Sequence, residues 1–499
     1  MKKKLVLMTL SAVILGNMAA CQSKPKKEET KTSQTEQVAT EDNKVTGQQQ
    51  PPTREEVVSL MPDIAKKSKK IMIDNSEKIH PKFNMKDKQI LIVSNIGKTA
   101  YLVNSQDEKY GKKDDVVEYS TDTITNKDIM TGAFGETEFN GKKTYFLNID
   151  SQMFMLEGNK EKKVNVLVQT ILHESIHKYL QPKLEKGESL ASLESTANGV
   201  KRALTYPIPY EERIYRAQQT FYYREAVKAK TEEERVSNIK KGNYFYKKYL
   251  EANPENEKKA VYDRIEGQPA YSEARGIATT SEKANDEKSI NDETISNILK
   301  DNRVSDEMIQ MGMEDMEYYA VGELAYANVL QLNQMKEIQD DNQNPVKYLY
   351  EKYGVEENKG NEKLSAGIKE QFTAQNNQLK QQVEGVDEKV KSPDYVKVKV
   401  RITDEQLGFE MHTGSVNYKF KENDATIETI SREVKLGENR LKLTQSELIK
   451  TMEGDKEVNY LMVPKKDVEI KGDKVSIQSK DVQVFDQTFK KDRDILKLN

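Results

Sequence analysis

The sequence predicts an α+β fold: a small N-terminal sheet, a long and mostly helical middle, and a C-terminal all-β domain. Three observations carry this. Short apolar runs rich in branched and aromatic residues occupy 88–105 and 143–150, and apolar residues then recur at helical spacing as far as about 384. Near Ser392 and Pro393 the period changes to alternation, as in DYVKVKVRI and GSVNYKFK. The expected divisions are 53–390 for the sheet and helices and 391–499 for a β-sandwich or barrel-like domain.

The chain begins MKKKLVLMTLSAVILGNMAAC, with Lys2, Lys3 and Lys4 before an apolar run from Leu5 to Leu15. That run is shorter than the roughly 20 residues a bilayer span needs, so 1–20 is expected to be an export signal. Met18-Ala19-Ala20-Cys21 resembles the lipobox of bacterial lipoproteins, in which cleavage precedes a cysteine that then carries lipid. The resemblance implies lipidation at Cys21 and a place at the extracytoplasmic face of the cell membrane. Cys21 is the only cysteine, which excludes disulfides within the chain. Residues 21–52 are mostly Lys, Glu, Thr, Ser and Gln, which bury too little surface to offset their ordering entropy; they are expected to form a disordered tether. Lys plus Arg (79) nearly balances Asp plus Glu (82), and this excludes the basic field of a nucleic-acid-binding protein.

Beyond the tether, 54–80 reads as helix with Thr53 as N-cap and with Pro62 kinking or dividing it. KQILIVSN (88–95), KTAYLVNS (98–105) and KTYFLNID (143–150) are expected strands, with a polar loop over 106–128. Helices are expected over 188–204, 209–230, 236–252, 256–280, 305–337, 345–353 and 362–384, several starting at Pro207, Pro209, Pro254 and Pro345.

The stretch VLVQTILHESIHKYLQ (166–181) places His173 and His177 four residues apart with Glu174 beside the first. Positions i and i+4 share one helix face, so both imidazoles can reach one metal ion. Glu174 points to the side, where it can take a proton from a water that the metal activates. This is the chemistry of the H-E-x-x-H motif. Four histidines in a chain of this composition would give on the order of 0.005 such matches by chance. Val164, Leu167, Ile171, Leu172 and Ile176 form an apolar stripe that should bury the helix, and a strand over 144–149 precedes it.

A third ligand is needed. His80, in a KIHPKF turn expected to be exposed, and His412, in the β region, are poor candidates, so a carboxylate is expected. Glu194 lies sixteen residues past His177 (178–193); Glu211 and Glu212 open a helix after Pro209; Glu266 lies eighty-eight residues on (178–265), beside a helical glycine that signals close packing. Asp263 and Glu273, one and two turns from Glu266, are possible acceptors for a ligand histidine's other nitrogen, though each is expected to be an exposed carboxylate. Tyr215, Tyr222, Tyr223, Tyr318 and Tyr319 fall at helical spacings and most should be core or rim residues, while one could donate a hydrogen bond to an oxyanion, although the sequence does not identify which.

HESIHKYLQ, YPIPYEERIYRAQQTFYYREAVKA, DRIEGQPAYSE and MEYYAVGELAYANVLQ resemble successive landmarks of gluzincin-like bacterial zinc metallopeptidases, over roughly 85–355. The resemblance implies a zincin-like domain in which His173, His177 and Glu266 bind zinc and Glu174 is the general base. It also implies Tyr271 as a transition-state hydrogen-bond donor. EGQPAY departs from the pattern by one extra residue and a proline, which should bend the helix just after Glu266 and displace Tyr271.

The expected function is that of a membrane-anchored zinc peptidase acting on a peptide or protein substrate, as a monomer, with the 144–149 strand offering an edge to the substrate. The alternative is a non-catalytic surface lipoprotein, an adhesin or binding module, that keeps the scaffold and grips a ligand with its β domain.

Overall fold

The computed structural model describes residues 52–106, 116–131, 134–150, 158–181, 204–312, 314–338, 343–400, 411–420, 423–436, 439–453, 456–492 and 495–498. These divide into two compact units: those up to Asp74 with Met85–Ile171, and Asn75–Asn84 with Leu172 onward. The signal, Cys21 and the tether up to residue 51 lie outside the described residues, as do Glu194 and all of the expected 188–204 helix but its last residue, which is in a strand.

Helix α1 (Arg54–Ser68) opens the first unit, with the Thr53 side chain accepting from the Glu56 backbone N–H as N-cap. Pro62 does not divide it. The carbonyl that loses its helical donor belongs to Val58, which is 39% exposed and can turn toward water. Strands β1 (Gln89–Ser94), β2 (Thr99–Val103), β3 (Val116–Ser120), β4 (Phe134–Phe139) and β5 (Lys142–Asn148) form a sheet in the order β3-β2-β1-β5-β4. Only β1 and β5 pair in parallel; the other neighbours are antiparallel. Buried Leu91, Val93, Ala100, Leu102, Phe139 and Phe146 make one cluster on it. Two strands went unrecognised in the sequence. FGETEF carries charge at alternate positions and VVEYS has Glu118 at its centre, and each lies at a sheet edge where one flank meets water. The 144–149 strand is therefore not an edge: β5 is paired on both sides.

Helix α2 (Lys160–Leu180) carries the histidine motif and runs from the first unit into the second. The second unit continues with α3 (Tyr210–Lys228), α4 (Glu232–Ala252), α5 (Tyr262–Ile265), α6 (Gly267–Ala278), α7 (Glu287–Lys300), α8 (Glu314–Gln331), α9 (Pro345–Tyr353) and α10 (Glu362–Lys391). The expected 256–280 helix is broken at Ala260–Val261 and again at Glu266, and α7, capped by a reciprocal Asp286–Ser289 pair, was not anticipated. Helix α8 is buried at every position from Met316 to Val329 and packs against α3, α6, α7 and α9, so it is the core helix of this unit. No helix among the described residues is long and apolar enough to cross a membrane.

Ten strands follow the order β12-β13-β14-β15-β7-β11-β10-β9-β8-β6, where β6 is Leu204–Thr205, β7 Tyr395–Val400, β8 Met411–Phe420, β9 Asn423–Leu436, β10 Asn439–Glu453, β11 Lys456–Pro464, β12 Val468–Lys471, β13 Lys474–Gln478, β14 Val482–Asp492 and β15 Ile495–Leu498. A further pairing of β14 with β10 closes a ring of five strands: β10, β14, β15, β7 and β11. A bulge between Leu443 and Ser446 lets β10 turn from β14 to β11. The change of period at Ser392 marks where helix gives way to strand, yet the packing continues across it. Ile368, Phe372, Leu379 and Val386 of α10 share a hydrophobic cluster with Val416, Ile427, Ile449 and Tyr460 of the strands.

Candidate metal centre

The apolar stripe on α2 behaves as its spacing requires: Val164, Leu167, Ile171, Leu172 and Ile176 are all buried. His173 and Glu174 are also buried, with His177 one turn beyond His173 and Gln181 one turn beyond that, just past the end of the helix.

His173 Nε2 and His177 Nε2 lie 3.0 Å apart, and Glu266 Oε2 lies 3.4 Å from the first and 3.5 Å from the second. A tetrahedral ion with bonds of about 2.0–2.1 Å has ligand-to-ligand edges of roughly 3.3–3.4 Å. The three atoms thus converge at the spacing a single small cation needs. Among the described residues, these are the three His and acidic side chains that could hold a metal ion. The His173 side chain is 8% exposed and that of His177 24%, so the group meets solvent on the His177 side.

Neither imidazole is left to orient itself. His173 Nδ1 lies 2.5 Å from Glu273 Oε1 and donates to it, so that in the neutral ring the lone pair is on Nε2, on the Glu266 side. Glu273 is not an exposed carboxylate but a buried one, held by Arg303 at 3.0 Å; the same guanidinium binds Asp301 at 2.7 Å and approaches Glu323 at 3.3 Å. Burial works against charge on Glu273, yet Arg303 and His173 outweigh it and hold its carboxyl below the usual range. Burial pushes Glu323 well above that range despite Arg303. Tyr319 stacks on the His173 ring at 5.6 Å and lies under Arg303. His177 Nδ1 donates to Gln181 Oε1 at 2.9 Å.

Glu266 stands at the joint of α5 and α6, with φ −91° and ψ −30°. Two devices place it. Asp263 is fully buried and its carboxylate takes a two-pronged hydrogen bond from Arg216 of α3, whose guanidinium lies over the rings of Tyr249 and Tyr318. Removing one partner from such a buried pair typically costs about 3–5 kcal/mol. The second device is glycine. A Cβ on Gly267 would lie 2.4 Å from the Gly322 Cα, and one on Gly322 would lie 1.9 Å from the Asp263 carbonyl oxygen. The α5–α6 joint and α8 therefore touch backbone to backbone, a contact no side chain permits.

Of the rival ligands, Glu211 is exposed and Glu212 is buried beside Arg213, 3.9 Å from its guanidinium; neither joins the histidines. Asp263, expected at the surface, is spoken for by Arg216. His80 is buried, with Nδ1 accepting from the Lys82 backbone N–H, and His412 lies in β8. Tyr271 packs into the helical core, stacked on Tyr326 at 5.3 Å. Gln181, Arg303 and Gly322 were not read as site residues, and Tyr319 was one of five tyrosines that the sequence did not tell apart. Gln181 alone had a local signal, because it continues the i, i+4 face of His173 and His177.

Positive charge is what this arrangement stabilises. Burial opposes charge on His173, but hydrogen bonding to Glu266 and Glu273 prevails and lifts the imidazole from 6.5 to about 10. Its folded value exceeds its unfolded one, so in chelator-treated protein His173 contributes stability that is full below pH 6.5 and is lost as pH rises through about 10. Urea denaturation of that protein across this window should show wild type losing more stability than His173→Gln. Parallel profiles for the two proteins would contradict it.

Comparison of the chain with protein-family models, curated proteins and solved structures returns no match to any of them.

Proposed function

We propose that the protein is a zinc-dependent peptidase with a zincin-like active site, in which His173, His177 and Glu266 hold the ion and Glu174 is the general base. The observation that carries this reading is the meeting of three ligand atoms from α2 and the α5–α6 joint, with a buried glutamate adjacent to the first histidine. Two neutral imidazoles and one carboxylate are a donor set suited to zinc with an open coordination position. When bound, the ion would supply Lewis-acid chemistry to water and to a peptide carbonyl.

The residues of the chain do the rest. Glu273 and Gln181 hold the two rings so that each Nε2 presents its lone pair. Glu174 takes a proton from the attacking water and gives it to the leaving amine. The solvent-facing side at His177 is where water and an extended peptide would enter. Cys21 would carry the lipid that keeps this chemistry at the outer face of the cell membrane.

The test is elemental analysis of the full chain together with cleavage of a degenerate peptide library, with Cys21→Ser run in parallel. About one zinc per chain, zinc-dependent cleavage and release of the variant from membranes are expected. Zinc bound at that ratio without cleavage of any peptide would favour a non-catalytic surface protein instead. Unchanged membrane partitioning of Cys21→Ser would remove the lipid anchor.

A further inference from the structure

Pro269 occupies the third position of α6. In an unbroken helix the residue at 269 would donate its N–H to the carbonyl of Ile265, four residues back. Proline has no such hydrogen, whereas the next rung, from Ala270 N–H to the Glu266 carbonyl, is present at 3.1 Å. The Ile265 carbonyl is instead met by Gln181: its Nε2 donates to Ile265 O at 3.2 Å, and also to Gln268 Oε1 at 2.9 Å.

Those two bonds use both hydrogens of the Gln181 amide, so its orientation is set. Oε1 must then face the remaining neighbour, His177 Nδ1, at 2.9 Å. An amide oxygen only accepts, so Nδ1 carries the proton and Nε2 carries the lone pair. Gln181 is 3% exposed, which leaves water little chance to supply an alternative partner. The segment Ile265–Gln268 therefore contributes to the metal centre twice, once through Glu266 and once through the two acceptors that aim Gln181.

We propose that Gln181 is a positioning residue that selects the metal-binding tautomer of His177, and that Pro269 makes this possible by withholding the helical donor from the Ile265 carbonyl. This rests on the reading of His173, His177 and Glu266 as a metal site. It gives the proline inserted after Glu266 a chemical role. The two histidines are oriented by different means: His173 by a carboxylate backed by Arg303, His177 by a neutral amide backed by the peptide chain.

The proposal separates two properties that a merely structural role would move together. Pro269→Ala restores a donor for the Ile265 carbonyl, so the free energy of unfolding in chelator-treated protein should stay level or rise. The same change gives the Gln181 amide a competitor and should weaken zinc binding severalfold. Gln181→Leu removes the acceptor and should raise the zinc Kd by about 10–100-fold. Both are measured on the full chain by competition with a chromophoric chelator.

The chain has four histidines, so ring labelling with heavy nitrogen gives a spectrum simple enough to follow His177 directly. In metal-free wild type at a pH where the ring is neutral, His177 should be the Nδ1–H tautomer; in Gln181→Leu it should become a mixture. Zinc affinity unchanged in both variants, or a wild-type His177 protonated on Nε2, would overturn the proposal. Wild type that binds no zinc yet shows the Nδ1–H tautomer, lost in Gln181→Leu, would uphold the positioning and overturn the metal reading beneath it.

Discussion

Glu174→Gln is expected to keep its zinc and to hydrolyse peptides about 10²–10⁴-fold more slowly than wild type, the range that a positioned general base contributes. The amide has nearly the volume of the carboxylate, so the buried side chain should still pack at 5% exposure. It cannot take up a proton from water, and water alone must then do so. Glu174 is not among the three residues whose ligand atoms converge, so the metal content should not follow the rate. Elemental analysis of the variant beside single-turnover rates on a cleaved library peptide checks both halves. Loss of zinc in proportion to loss of rate would place Glu174 in the metal site rather than beside it.

The second large effect is expected at Glu266. Replacing it with alanine should weaken zinc binding by roughly 10²–10³-fold, since a zinc site's binding free energy of about 10–16 kcal/mol is spread over four ligand positions. Glu211→Ala and Glu212→Ala should bind zinc as wild type does. Glu211 is exposed, and Glu212 is associated with Arg213 instead. Glu194→Ala, at the remaining candidate from the sequence, should also retain the metal. Two histidines alone still capture zinc weakly, so all four proteins must be compared at buffered free zinc. Glu266→Gln, which preserves the side chain's volume, separates loss of a ligand from loss of packing. Should Glu194→Ala strip the ion while Glu266→Ala leaves it bound, the site would be completed by the chain just after α2.

Local chemistry explains which elements could be read in advance. Thr53 caps α1, and Asn344 followed by Pro345 starts α9 at the residue expected, because each signal acts within one turn of the chain. The α2 stripe was legible because burial of one helix face requires its spacing. Strands β3 and β4 were not, since edge strands carry polar residues that resemble a loop. The long helix expected over 256–280 overlooked a break whose cause is contact with α8 as much as the proline itself.

The sequence by itself determined the pair His173 and His177, the glutamate between them and the face they share, because a helix turns by the same amount wherever it stands. It also brought Glu266 forward, through resemblance and a neighbouring glycine, without excluding its rivals. Only the tertiary structure showed which described carboxylate meets the histidines, because the 3.4 Å approach of Glu266 to His173 and its 3.5 Å approach to His177 span ninety-two and eighty-eight intervening residues and depend on Gly267 meeting Gly322. It also brought together Glu273 with Arg303, Asp263 with Arg216, and Gln181 with Ile265. A buried charge or amide must find its partner wherever the fold places one, and distance along the chain gives no sign of where that will be.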